Sequence, residues 1–104
     1  MELTRTLQAL TDPTRRAILE MLNEGDMTAG DIAAHFNISA PSVSHHLNVL
    51  KNADLVQSQR RGQTIIYTLN ATVVQEFLQE LLQFFRVGEG ERPFLRSKKD
   101  EGHA

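Results

Sequence analysis

A mainly α fold of about five helices carrying one small β-hairpin is predicted by three features of the sequence. Apolar residues recur at helical spacing through residues 3–53 and again over 73–85. Capping signals divide the first of these stretches into short helices. Between the two stretches, Leu55-Val56 and Ile65-Ile66-Tyr67-Thr68-Leu69 flank the polar Arg60-Arg61-Gly62-Gln63. β-Branched and aromatic runs around a glycine-bearing polar break read as two strands and a turn.

Leu3, Leu7 and Leu10 mark the first helix. Asp12-Pro13 then supplies a capping carboxylate and a proline at the first helical position, where its missing N–H costs nothing. The second helix buries Ala17, Ile18, Met21 and Leu22 and ends near Gly25. Thr28, followed three residues later by Asp31, approximates a capping box and opens a short helix with Ile32, Ala33 and Phe36 inward. Asn37-Ile38-Ser39 forms a tight connection of three residues. Ser39 caps the next helix, Pro41 lies in its first turn, and Val43, Leu47 and Leu50 face the core as far as about Ala53. Two helices so joined are a helix-turn-helix candidate. Asn70 or Thr72 caps a last helix, where Val73, Val74, Phe77, Leu78, Leu81, Leu82, Phe84 and Phe85 make an apolar surface wider than one core-facing stripe. That excess calls for a partner.

With 104 residues the chain suffices for one domain, assigned to residues 1–87, and residues 88–104 are expected to be a mostly mobile tail because periodicity gives way to Gly and mixed charge. No cysteine is present, which removes disulfides, thiolate metal sites and thiol nucleophiles. Glu2, Arg5 and Asp12 interrupt any secretory signal, and no stretch approaches the roughly 18 apolar residues of a membrane span. A cytoplasmic protein without membrane insertion is expected. The net charge of −2 argues weakly against a nucleic-acid binder, but its distribution does not. Residues 1–37 hold three basic and six acidic groups, whereas 38–70 hold three and one, so the middle third is electropositive.

At about 100° per residue, Val43, Leu47 and Leu50 cluster on one side of their helix, and Pro41, His45 and Asn48 point roughly opposite with Ser42 and Ser44 flanking. This outer face is short, polar and uncharged. It suits a major groove, where hydroxyl, imidazole and amide groups meet base edges without a long side chain holding the helix away. Arg60 and Arg61 on the hairpin are placed to neutralise phosphates or enter the minor groove. Helix, turn, polar-faced helix and arginine-tipped hairpin, in that order, make a winged helix-turn-helix.

The segments ALTDPTRRAILEML, MTAGDIAAHFNIS, APSVSHHLNVLKNADLV and RRGQTIIYTLN resemble the ArsR family of winged-helix bacterial repressors from about Leu7 to Phe85. GDMTAGDIAAHFNIS is especially similar to the SdpR-like autorepressor branch of that family. The resemblance implies a homodimer pairing through its first and last helices, a palindromic double-stranded DNA operator, and repression by blocking polymerase. It implies DNA contacts from Ser39, Pro41, Ser42, Ser44 and His45, with Arg60, Arg61 and Gln63 in the wing. The dimer surface it implies combines Leu3 and Leu7 with Phe77, Leu78, Leu81, Leu82 and Phe85.

Departures from the family pattern bear on sensing. The cysteine pair by which many members hold metal is absent from Thr28 to His35, and residues 71–87 contain no His or Asp. Glu76 and Glu80 share one helical face and read as solvated rather than as a cation site. No metal and no cofactor are expected. His46, at the apolar boundary, is read as a packing histidine with one hydrogen-bonded nitrogen rather than a pH switch. Arg15 and Arg16 are placed either to touch phosphate or to pair with a nearby carboxylate.

The sequence therefore predicts a homodimeric, sequence-specific, metal-independent DNA-binding repressor of its own operon. The resemblance to the SdpR-like branch implies relief through its own concentration or a protein partner, with a small apolar ligand between dimer helices as a third, unranked route. The alternative is a winged-helix interaction module that binds a regulatory protein instead of DNA, a reading kept open by the acidic net charge. An enzyme is not expected, since no Ser/His/Asp set, P-loop or HExxH motif occurs.

Overall fold

Five helices and three strands follow one another in this computed structural model, which describes residues 2–86. They are α1 (Leu3–Ala9), α2 (Pro13–Glu24), β1 (Met27–Thr28), α3 (Ala29–Ala34), α4 (Ala40–Asn52), β2 (Val56–Arg61), β3 (Thr64–Leu69) and α5 (Ala71–Arg86). The mainly α winged architecture is the one the sequence predicts; the expectation for residues 88–104 lies outside the described residues.

Local chemistry sets most boundaries. Asp12 caps α2 by accepting the amides of Thr14 and Arg15 at 2.8 and 3.1 Å, and Pro13 occupies the first turn. Thr28 Oγ1 accepts the Asp31 amide at 3.0 Å to start α3, Ser39 Oγ accepts the Ser42 amide at 3.2 Å to start α4, and Asn70 Oδ1 accepts the Val73 amide at 3.4 Å to start α5. Each oxygen satisfies one of the amides that a helix start leaves without an internal partner. Gly62, at φ +64°, is the first of two residues between β2 and β3, the backbone hand that a tight hairpin needs and glycine supplies at least cost.

Two details differ from expectation. The sheet has three strands in the order β1-β3-β2, not two. Met27 and Thr28 pair with Tyr67 and Ile66, so Thr28, read as a helix cap, also belongs with Met27 to a strand beside the hairpin. The connection between α3 and α4 runs over residues 35–39, longer than the three residues read from sequence, because α3 already ends at Ala34.

Ile18, Ile32, Leu47, Leu50 and Leu55 are fully buried, joined by Leu22, Val43 and Val56. Each such side chain contributes about 1.5–3 kcal/mol on burial. The core therefore draws on α2, α3, α4 and the base of the wing, with Val73 and Val74 of α5 packed against it. On α1 the buried residues are Thr6 and Ala9, while Leu7 is exposed. Thr6 is accommodated because its hydroxyl donates to the Glu2 carbonyl at 3.1 Å.

Candidate nucleic-acid interface

Val43, Leu47 and Leu50 anchor α4 in the core at 3%, 2% and 0% exposure. Their burial fixes the rotation of the helix, and helical geometry then sends the opposite residues outward. Pro41, Ser44, His45 and Asn48 are exposed and Ser42 is half-buried. Ser39, also exposed, donates its hydroxyl hydrogen to Ser42 Oγ at 2.9 Å while accepting the Ser42 amide. That leaves the Ser42 hydroxyl free to donate at the start of the helix. The face thus presents hydroxyl and imidazole groups with no carboxylate among them.

The second part of the surface is the wing. Arg60 and Arg61 close β2, Gln63 follows Gly62 in the turn, and all three are exposed. Register pairs Arg61 with Thr64 and Arg60 with Ile65. Consecutive strand positions address opposite faces, so the two guanidiniums leave the ribbon on opposite sides. Every residue selected from sequence for this surface is therefore solvent-accessible, with Ser42 the most enclosed.

Behind α4 lies a polar joint that the sequence reading did not assemble. Arg15 Nε donates to the Ala9 carbonyl at 2.7 Å and Nη2 to the Gln8 carbonyl at 3.2 Å; Arg16 Nη1 donates to the Leu10 carbonyl at 2.6 Å. Both arginines thus hold the C-terminal carbonyls of α1 in place of the carboxylate pair that was one of the two expectations. Arg15 Nη1 lies 3.1 Å from His46 Nδ1, so His46 is the packing histidine with a bonded nitrogen. Asp12 Oδ2 stands 3.8 Å from the same nitrogen. Burial pushes the Asp12 carboxyl up, but the Arg15 amide, the positive charge of His46 in its protonated form, the Thr14 amide and the Arg15 charge outweigh it and hold the group below its ordinary value. A doublet of arginines just after a short helix was the available signal, since a helix end leaves carbonyls without partners.

Hydrophobic exposure is concentrated elsewhere. Leu7 of α1 and Leu78, Leu82, Phe84 and Phe85 of α5 are 43–76% exposed. Leu3 and Leu81 are half-buried, while Phe77 is buried by its own chain at 8%. Among the described residues no group of three or more His, Cys, Asp and Glu is gathered where it could hold a metal ion. No described helix is long and apolar enough to cross a membrane.

Comparison with known proteins places these elements in a wider set. Residues 12–58 match the model described as "Bacterial regulatory protein, arsR family", a span from the Asp12 cap into β2. The transcriptional repressor SdpR of Bacillus subtilis is 52% identical over 89 residues, covering 86% of this chain and 99% of that one. An arsenical resistance operon repressor of Staphylococcus xylosus is 38% identical, covering 79% of this chain and 75% of its own length. Among solved structures, an ArsR-like transcriptional regulator from Rhodococcus sp. RHA1 superposes with a TM-score of 0.74 at 28% identity, covering 81% of this chain and 79% of the other. NolR from Sinorhizobium fredii gives 0.64 at 30% identity, covering 79% and 82%.

Proposed function

The chain belongs to the arsR family of bacterial regulatory proteins, and from that premise we propose that it is a homodimeric, metal-independent repressor that reads a palindromic duplex and controls its own operon. At the coarser level it is a DNA-binding transcriptional regulator rather than an enzyme. The observation that carries the finer reading is the rotation of α4, which its buried leucines fix so that Ser44 and His45 project outward.

Two copies related by a twofold axis present two such helices to major-groove segments about 34 Å apart. Ser39, Pro41, Ser42, Ser44 and His45 meet base edges and the adjoining backbone, and Arg60, Arg61 and Gln63 hold the flanking strand. The exposed leucines and phenylalanines of α1 and α5 support the dimer, because contiguous large apolar surface on a soluble chain marks an interaction site. The lack of any cysteine supports control without thiolate-bound metal. Relief of repression then falls to the protein's own concentration or to capture by a protein partner.

Selection from a random duplex pool tests the reading. Recovered sequences are expected to share an inverted repeat, and affinity is expected to fall steeply as salt rises, in proportion to the phosphates neutralised. Recovery of unrelated sequences, or of none, overturns it.

A further inference from the structure

The joint behind α4 is not used by the DNA-facing surface, and its hydrogen bonding is unusually constrained. A guanidinium has only donors, so the contact with Arg15 makes His46 Nδ1 the acceptor and leaves the ring hydrogen on Nε2. Two further Arg15 donors, on Nε and Nη2, go to the carbonyls of Ala9 and Gln8. One side chain of α2 therefore fastens the end of α1 to the middle of α4. The His46 side chain is 15% exposed, which limits the help that water can give when this bond is broken.

The charged groups around the imidazole come from few elements. The start of α2 contributes Asp12 and Arg15. From α1 only carbonyls arrive, through Arg15, because Arg5 sits at the far end of α4 with Nη1 3.5 Å from the Asn52 carbonyl. On α4 itself the His45 ring lies 5.7 Å away, centroid to centroid.

We infer that Arg15 is a positioning residue for the DNA-reading helix, acting through His46, and that a proton on His46 Nδ1 opens this joint. Its consequence for operator affinity rests on the DNA-binding function proposed for the chain. With Nδ1 protonated no lone pair remains for Arg15, and the two cations repel. The nearest acceptor is then Asp12 Oδ2, already occupied by the Thr14 and Arg15 amides and 3.8 Å distant. The imidazole changes partner from Arg15 to Asp12, and α4 loses the tie through Arg15 to the end of α1, keeping only the Arg5 contact at its far end. Protonation of His45, on the outward face, works in the opposite direction by adding positive charge toward phosphate. A substitution at His46 separates the two effects.

The test compares the full-length wild type with His46→Gln, whose amide oxygen can still accept from Arg15 but does not titrate. The probe is a duplex recovered from the random pool. Dissociation constants are measured at fixed salt at pH 8.0 and 5.5, which bracket ordinary imidazole titration. The ratio of wild-type to variant constants is expected to rise by roughly threefold to tenfold at the lower pH, the range in affinity that one ordinary hydrogen bond represents. An unchanged or falling ratio overturns the inference. Nitrogen-15 spectra of the free wild type decide the joint without DNA and without a variant. At pH 8.0 they are expected to give His46 as the Nε2–H tautomer, and an Nδ1–H tautomer overturns the joint. If no duplex is recovered at any pH, the DNA reading fails while the spectra still decide the joint.

Discussion

The backbone amide of Leu55 donates to the carbonyl of Leu50 at 3.0 Å, closing the end of α4 over Asp54, whose φ is +61°. The Asp54 amide donates to the Lys51 carbonyl at 2.9 Å. Together these bonds form a Schellman cap, which ordinarily uses glycine at the left-handed position. Leu50 and Leu55 are both fully buried, so the cap also turns the chain from the recognition helix into the wing.

Asp54 is thus expected to limit stability. A side chain in the left-handed region costs roughly 1–2 kcal/mol, partly offset because glycine is freer in the unfolded chain. Denaturant titration should place Asp54→Gly up to about 1 kcal/mol above wild type and Asp54→Val about 1 kcal/mol or more below it. If the valine variant proves as stable as the glycine variant, the cap does not constrain the chain in this way.

The Asp12 carboxyl gives a pH dependence with a definite sign. Its folded value lies below the ordinary 3.8, so the charge-dependent stabilisation is fully present above 3.8 and is lost as pH falls through the folded value. Asp12→Asn retains a capping oxygen without the charge. The melting-temperature gap between wild type and this variant should favour wild type at neutral pH and close as the solution becomes more acid than the ordinary aspartate value. A gap that stays constant or widens on acidification contradicts the assignment.

Asp12-Pro13, Thr28, Ser39 with Pro41, Gly62 and Asn70 made the helix starts and the hairpin legible in the sequence, because each acts on a neighbour two or three residues away. The outward face of α4 was legible for the same reason, since its rotation follows from Val43, Leu47 and Leu50. What was missed depends on distant partners. Strand β1 is two residues long and exists because Tyr67 and Ile66 come alongside; nothing in Met27-Thr28 alone encodes a strand. His46 lies 31 positions from Arg15, so their contact has no local signature. On α1 a leucine repeat hides that Thr6 and Ala9 are the buried positions, since periodicity marks an apolar face without telling which neighbour covers it.

The wing and the recognition helix should fail differently. Arg60→Ala and Arg61→Ala remove exposed cations, so affinity should drop on operator and scrambled DNA alike, with the salt slope falling by about one for each phosphate no longer neutralised. Ser44→Ala and His45→Ala should lower the preference for operator over scrambled DNA, because base contacts specify while phosphate contacts position. Equal losses on both duplexes for the helix variants would reject that division.

On α5, Phe77 and the pair Leu82 and Phe85 should report on different levels of structure. Phe77 is buried within its own chain at 8% exposure, whereas Leu82 and Phe85 are 58% and 76% exposed. A glutamate at Phe77 forgoes about 2–3 kcal/mol of burial and places a charge in the core, so Phe77→Glu should lose helical circular dichroism. Leu82→Glu combined with Phe85→Glu alters only exposed positions, and should keep the spectrum while sedimentation at micromolar concentration shifts from dimer to monomer. The monomer should then bind operator far more weakly, because a half-site offers one recognition helix instead of two. A doubly substituted chain that still sediments as a dimer would remove these residues from the interface, and a wild type that sediments as a monomer would remove the interface itself.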